Sequence, residues 1–296
     1  MIRTHHIRGR AALVVASLLL LLGLTGPSAW AEPQTDQPPP EQPSAACAQT
    51  PTSGTIQRTI GDRVYLLRVP AGLPNPAPLL LALHGGGSGP GVHESQSGWS
   101  GFADAKKFIV AYPRGGLAND NGTWSWHYLP GQNQDEQFLR AVIDDISGKW
   151  CVDSRRIHVS GHSNGGQMTT RMACSAADLI ASAAVYAGPA HSVNPYDCAI
   201  SRPISFGLFA GQKDPIVNLA LMVTHRLNWQ IRNGCTSPPV SEPRPDGVVA
   251  AEVNTCNAGT KVVWRVYDAG HGIPGGALGA DIRNRMWTMF QNNPRP

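Results

Sequence analysis

The sequence predicts an α/β protein, with a mostly parallel sheet covered by helices on both faces. Three observations carry that prediction. Continuous apolar runs ending in glycine, "PLLLALHG" (78–85) foremost, read as buried parallel strands. Segments with apolar residues at helical spacing alternate with them, as crossover connections require. Glycine-rich turns follow the strand-like runs directly, where open α/β sheets bind their ligands.

The chain begins with a basic head, "MIRTHHIRGR", an apolar run and a small-x-small site at Ala29-Trp30-Ala31. This predicts a secretory signal peptide over 1–31, with an uncleaved anchor as the alternative. Residues 32–54 are rich in Pro, Gln and Ser and read as a leader or linker that buries no core. One domain is expected over 55–296. "TIQRTI" and "DRVYLLRVP" alternate around Gly61-Asp62 and predict an edge hairpin. Strands follow at 78–85, 107–113, 155–161, 180–188, 204–211 and 261–270. Helices are expected at 135–150, 164–178, 219–234 and 281–291. No large cap domain is visible.

The formal charge is +4, but Arg3, Arg8 and Arg10 lie in the signal, which has no acid, so the mature chain carries +1. Nothing in that balance calls for nucleic acid or an anionic surface. Six Cys, all after the signal, argue for an exported, disulfide-bonded protein, extracellular or periplasmic, with no membrane attachment after cleavage. Cys151 precedes a strand and Cys174 lies near the end of the helix running back along it, so these two are expected to pair. Cys235 and Cys256 bracket a Pro-rich loop, 236–255, and are expected to close it. Cys47 and Cys198 remain by elimination.

Gly161-His162-Ser163-Asn164-Gly165 fits G-x-S-x-G between a strand and a helix, the context in which a serine is held at a sharp turn. Asp214 follows the strand at 204–211, and His271 follows the strand at 261–270. The order Ser, Asp, His is that of α/β-hydrolases. Asp268 and Asp153 are the competing acids. "HGGG" after the strand at 78–85 supplies backbone amides of Gly85 or Gly86, which with the amide of Asn164 form a candidate oxyanion hole. The loop 114–134 follows another strand and places Trp124 and Trp126 near the same face, either for substrate contact or to pack the loop. His84 is a further substrate-side candidate, although its backbone neighbours would do the chemistry. Gly270–Gly275 also fits G-x-G-x-x-G, but Pro274 sits inside the turn and no acid follows about 20 residues on, so no dinucleotide, metal or other cofactor is expected.

"LALHGGGSG", "TWSW", "DEQFLRAVIDDIS", "CVDSRRIHVSGHSNGGQMTTRMAC" and "GQKDPIV" resemble the secreted polyhydroxybutyrate depolymerase and feruloyl esterase group, carbohydrate esterase family 1 and its relatives. The resemblance spans roughly residues 55–290. It implies an α/β-hydrolase fold, a triad of Ser163, Asp214 and His271, a tryptophan loop lining the substrate cleft, and an ester substrate: a polyester, its oligomers, or a plant-cell-wall ester. An amidase of the poly(aspartate) hydrolase kind is the alternative on the same triad, and a non-catalytic binding protein is a third class. The stop at Pro296, with no further binding module, argues against attack on crystalline polymer, and the choice between polymer and oligomer stays open. The sequence does not choose the acyl group or the oligomeric state.

Overall fold

A computed structural model describes residues 50–296, apart from 53 and 191–197. Chain contacts divide the molecule into Met1–Pro43 and Ser44–Pro296. Every described residue belongs to the second unit. The signal peptide, most of the leader and Cys47 lie outside the described residues. Among the described residues no helix is long and apolar enough to cross a membrane.

The expected hairpin is β1 (Thr55–Ile60) and β2 (Arg63–Arg68), paired antiparallel around Gly61-Asp62. Next come β3 (Ala77–Leu83), α1 (Pro90–Ser97), α2 (Trp99–Lys106) and β4 (Ile109–Pro113). A short ribbon, β5 (Leu117–Ala118) and β6 (Trp124–Ser125), leads to α3 (Gln134–Ser147), β7 (Val152–His162), α4 (Asn164–Ser175) and β8 (Ser182–Tyr186). The chain continues through β9 (Ser205–Gly211), α5 (Leu219–Arg232), β10 (Val240–Ser241), β11 (Val248–Thr255), β12 (Lys261–Tyr267) and α6 (Gly276–Asn292).

The large sheet has the order β1-β2-β4-β3-β7-β8-β9-β12-β11-β10. Its six central strands, β4 to β12 in that order, run parallel, while antiparallel strands close both edges. The strand period of two divides its side chains between two cores. Leu79, Leu81 and Leu83 face Leu139, Met168 and Met172 on the side of α3 and α4. Leu80 and Ala82 face the other way, into a core with Trp99, Met286 and Phe290 from α2 and α6. The parallel strands are buried on both faces, which is why they read as unbroken apolar runs.

Two stretches differ from the sequence reading. Residues 90–106 form α1 and α2, which meet at Gly98 in the left-handed conformation (φ 66°). Pro90 at the first turn is their sequence signature. Residues 248–255, expected inside a Pro-rich loop, form β11, which pairs with β12 along its length. The leader end is also engaged: Trp150 Nε1 donates to the Thr50 carbonyl, and Thr52 N–H donates to that of Val69.

The disulfides correct one part of the expectation and match another. Cys235 pairs with Cys256, as expected. Cys174 pairs with Cys198, not Cys151, with Cα atoms 5.1 Å apart. The chain entering β9 comes back to the starting end of the strands, so Cys198 arrives beside the end of α4. Cys151 is itself disulfide-bonded, and neither Cys151–Cys174 nor Cys47–Cys198 forms. Replacing Cys235 and Cys256 by Ala opens a loop spanning 21 residues and is expected to cost about 3 kcal/mol. A fall in the urea midpoint, with a slope that rises as the uncrosslinked denatured chain expands, checks this.

Candidate active site

Ser163 sits between the end of β7 and the start of α4 at φ 53°, ψ −120°, a backbone conformation that non-glycine residues rarely adopt. The turn closes only because its flanking residues are small. A Cβ on Gly161 would strike the Gly165 carbonyl, and one on Gly165 would strike the carbonyls of Leu83 and His84. The strained serine is thereby over-determined by packing, and its Oγ is held at the carboxyl end of the sheet.

His271 Nε2 lies 2.9 Å from Ser163 Oγ, and His271 Nδ1 lies 2.8 Å from Asp214 Oδ2. The Asp214 carboxylate is fully buried, and its other oxygen accepts from Ile216 N–H (2.8 Å) and Val217 N–H (2.9 Å). A carboxylate can only accept, so His271 Nδ1 carries the proton and Nε2 is free to accept from the serine hydroxyl. The other acids lie elsewhere: Asp268 pairs with Lys213 at the surface, and Asp153 pairs with Arg156 near the start of β7.

Two residues that sequence reasoning did not single out hold the histidine loop. Tyr186, at the end of β8, donates to the Gly270 carbonyl (2.9 Å), and His162 Nε2 donates to the His271 carbonyl (2.8 Å). Lys213 N–H also donates to the Ala269 carbonyl (2.9 Å), joining the acid loop to the histidine loop. The available signal was position alone: His162 is the residue before the serine.

Gly85 and Gly86 face this elbow. A Cβ on Gly85 would lie 3.6 Å from Ser163 Cβ, and one on Gly86 would lie 3.3 Å from Asn164 Cβ. The two glycines and Asn164 are thus brought together beside Ser163. His84 and Trp126 are both buried (0% and 1% exposed). The His84 ring bridges its own turn and the loop after β4, meeting the Gly85 carbonyl (2.8 Å) and Gly115 N–H (3.0 Å), and the Trp126 indole donates to the His84 carbonyl (2.8 Å). Trp124 is half-buried beneath the Arg114 guanidinium, 4.0 Å from its ring centre, beside an open hollow that runs past Gly87 and Ser88. Among the described residues no cluster of His, Cys, Asp or Glu is arranged to hold a metal ion.

Burial pushes the His84 and His162 imidazoles down to about 4, because a charged ring there would lose its hydration. The unfolded chain takes up these protons near the ordinary histidine value of about 6.5. Their contribution to stability is therefore complete above about 6.5 and is lost as the pH falls toward 4, at up to about 1.4 kcal/mol per pH unit for each ring. Urea midpoints at pH 7 and pH 5 check this: the midpoint should fall at pH 5, and fall less in His162→Gln.

A serine, an acid and a histidine at the ends of β7, β9 and β12 of a central parallel sheet define an α/β-hydrolase fold. Solved structures agree. The acetyl xylan esterase from Aspergillus awamori superposes with a TM-score of 0.63 at 18% identity, covering 80% of this chain and 99% of that one. No known family's sequence profile matches the chain. It is nevertheless similar to proteins named as depolymerases and feruloyl esterases, the group that its motif blocks resemble. Poly(3-hydroxyalkanoate) depolymerase C of Paucimonas lemoignei is 36% identical over 151 residues, 49% of this chain and 35% of that protein. The bifunctional acetylxylan esterase/xylanase XynS20E of Neocallimastix patriciarum is 30% identical over 169 residues, 57% of this chain and 24% of that protein. Feruloyl esterase C of Emericella nidulans is 27% identical over 259 residues, 83% of this chain and 90% of that protein. The chain spans about a third and a quarter of the length of the first two relatives.

Proposed function

We propose that this chain is a secreted carboxylic ester hydrolase working through Ser163, His271 and Asp214. The observation that carries this reading is the unbroken hydrogen-bonded line from Asp214 through His271 to a serine on a strained turn. His271 Nε2 takes the Ser163 proton as Oγ attacks the ester carbonyl carbon. The Asp214 carboxylate holds the ring and stabilises the imidazolium. The carbonyl oxygen, now an alkoxide, is met by the amides of Asn164 and of Gly85 or Gly86. His271 returns the proton to the leaving alcohol, and an acyl group remains on Oγ. Water then attacks that acyl-enzyme with His271 as base, releasing the acid and restoring the serine.

Relatives named for 3-hydroxyalkanoate polyesters and for feruloyl and acetylxylan esters support the ester class. The signal-like residues 1–31 and the disulfides support export. The test is turnover by residues 32–296 of p-nitrophenyl acetate and butyrate, methyl ferulate, 3-hydroxybutyrate oligomers, p-nitroanilides and poly(aspartate). Ester hydrolysis without anilide or poly(aspartate) cleavage is expected. Cleavage of the amides at comparable rates would replace the reading with an amidase. Failure on all substrates, with no fluorophosphonate label on Ser163, would leave a binding protein.

A further inference from the structure

We propose that Trp126 is a positioning residue that sets the direction of the oxyanion-hole amides, and not a contact for substrate; this deepens the esterase reading and rests on it. Trp126 donates twice. Its indole Nε1–H binds the His84 carbonyl at 2.8 Å, and its backbone N–H binds Asn164 Oδ1 at 2.7 Å. Those acceptors belong to the two segments that supply the oxyanion amides.

The geometry of the peptide unit makes the first bond directional. The His84 carbonyl and the Gly85 N–H belong to one planar unit and point in opposite senses. Fixing that carbonyl oxygen therefore aims the Gly85 amide. Donation to the carbonyl also polarises the unit and strengthens its N–H as a donor. The next unit is fixed in the same way. Gly115 N–H donates to His84 Nε2 (3.0 Å), so Nδ1 carries the proton and donates to the Gly85 carbonyl (2.8 Å), which aims the Gly86 amide. The turn is then paired along the tryptophan segment: Ser88 and Trp124 exchange backbone bonds of 3.2 and 2.8 Å, and Gly87 N–H donates to Ser125 Oγ at 3.2 Å. The second Trp126 bond holds the Asn164 side chain, and with it the residue whose amide is the other oxyanion donor.

Trp126→Phe keeps an aromatic ring and the backbone N–H and removes the indole donor together with one ring of the fused pair. For a p-nitrophenyl ester, kcat is expected to fall at least about tenfold with KM within about twofold. Affinity for an aliphatic trifluoromethyl ketone, whose serine adduct places an oxyanion in the hole, should fall by the same factor. The pH midpoint of kcat should not move. Unchanged kcat, a raised KM with kcat intact, or a fall in kcat without loss of ketone affinity would each overturn the proposal. If Trp126→Phe does not fold, Asn164→Ala decides, because it removes the acceptor of the second Trp126 bond and keeps the Asn164 amide: loss of kcat and ketone affinity in parallel is expected, and a folded variant equal to wild type overturns the proposal. A wild-type chain that neither turns over ester nor binds the ketone would overturn the esterase reading itself; a wild type that does both, with variants to match, overturns this proposal alone.

Discussion

Ser163→Ala is expected to lower kcat on any ester the wild-type chain hydrolyses by about a millionfold, with KM changed little. The magnitude follows from the geometry. Removing Oγ leaves His271 and Asp214 in their hydrogen bond (2.8 Å) but with no nucleophile to deprotonate. What remains is the oxyanion hole and binding, which alone give about 10³- to 10⁴-fold over water. The substitution should be almost silent for the fold. Alanine keeps the Cβ, so the backbone conformation at φ 53° and the close packing of the turn persist. Steady-state kinetics beside a thermal melt checks both halves. Loss of activity with a collapsed melt, or activity within about a hundredfold of wild type, would contradict the assignment.

Asp214→Asn is expected to cost about 10⁴-fold in kcat through a change of tautomer. One oxygen of Asp214 accepts from the amides of Ile216 and Val217, and the other accepts from His271 Nδ1. In an asparagine the carbonyl oxygen must stay with the two backbone donors. Its NH2 group then faces His271 Nδ1, which can meet it only as an acceptor. The ring proton moves to Nε2, and Nε2 can no longer accept from Ser163. A loss of less than about tenfold would mean that Asp214 is a turn residue and not the acid of the triad. The rate of fluorophosphonate labelling should fall with kcat, because both reactions need the same proton transfer.

The parts of the fold that could be read from the sequence share a physical cause. β3, β7, β8, β9 and β12 sit where apolar runs end in glycine, because a strand buried on both faces can be little else. Ser163, Asp214 and His271, which the fold joins by hydrogen bonds, could be picked out because each follows such a strand. The stretches that were not legible lie where one face is solvated or where the partner is distant in sequence. β11 alternates irregularly across a bulge between Val248 and Ala250, and four nearby prolines masked it. α1 and α2 are only eight residues each. The pairing of Cys174 with Cys198 depends on where the chain between β8 and β9 returns, which no local pattern encodes. Trp126 shows the same limit at the site: its residue type suits either a substrate cleft or loop packing, and its buried indole donates to the His84 carbonyl, a partner that no local pattern encodes.

The central claim is an acyl-enzyme on Ser163. The most direct measurement is to mix the folded chain with excess p-nitrophenyl butyrate, quench in acid within one turnover, and map the adduct by peptide mass spectrometry. A single butyryl group on the peptide containing Ser163, absent after a chase in water and absent from Ser163→Ala, is the predicted result. Steady ester turnover with the adduct on another residue, or turnover that persists in Ser163→Ala, would contradict the account.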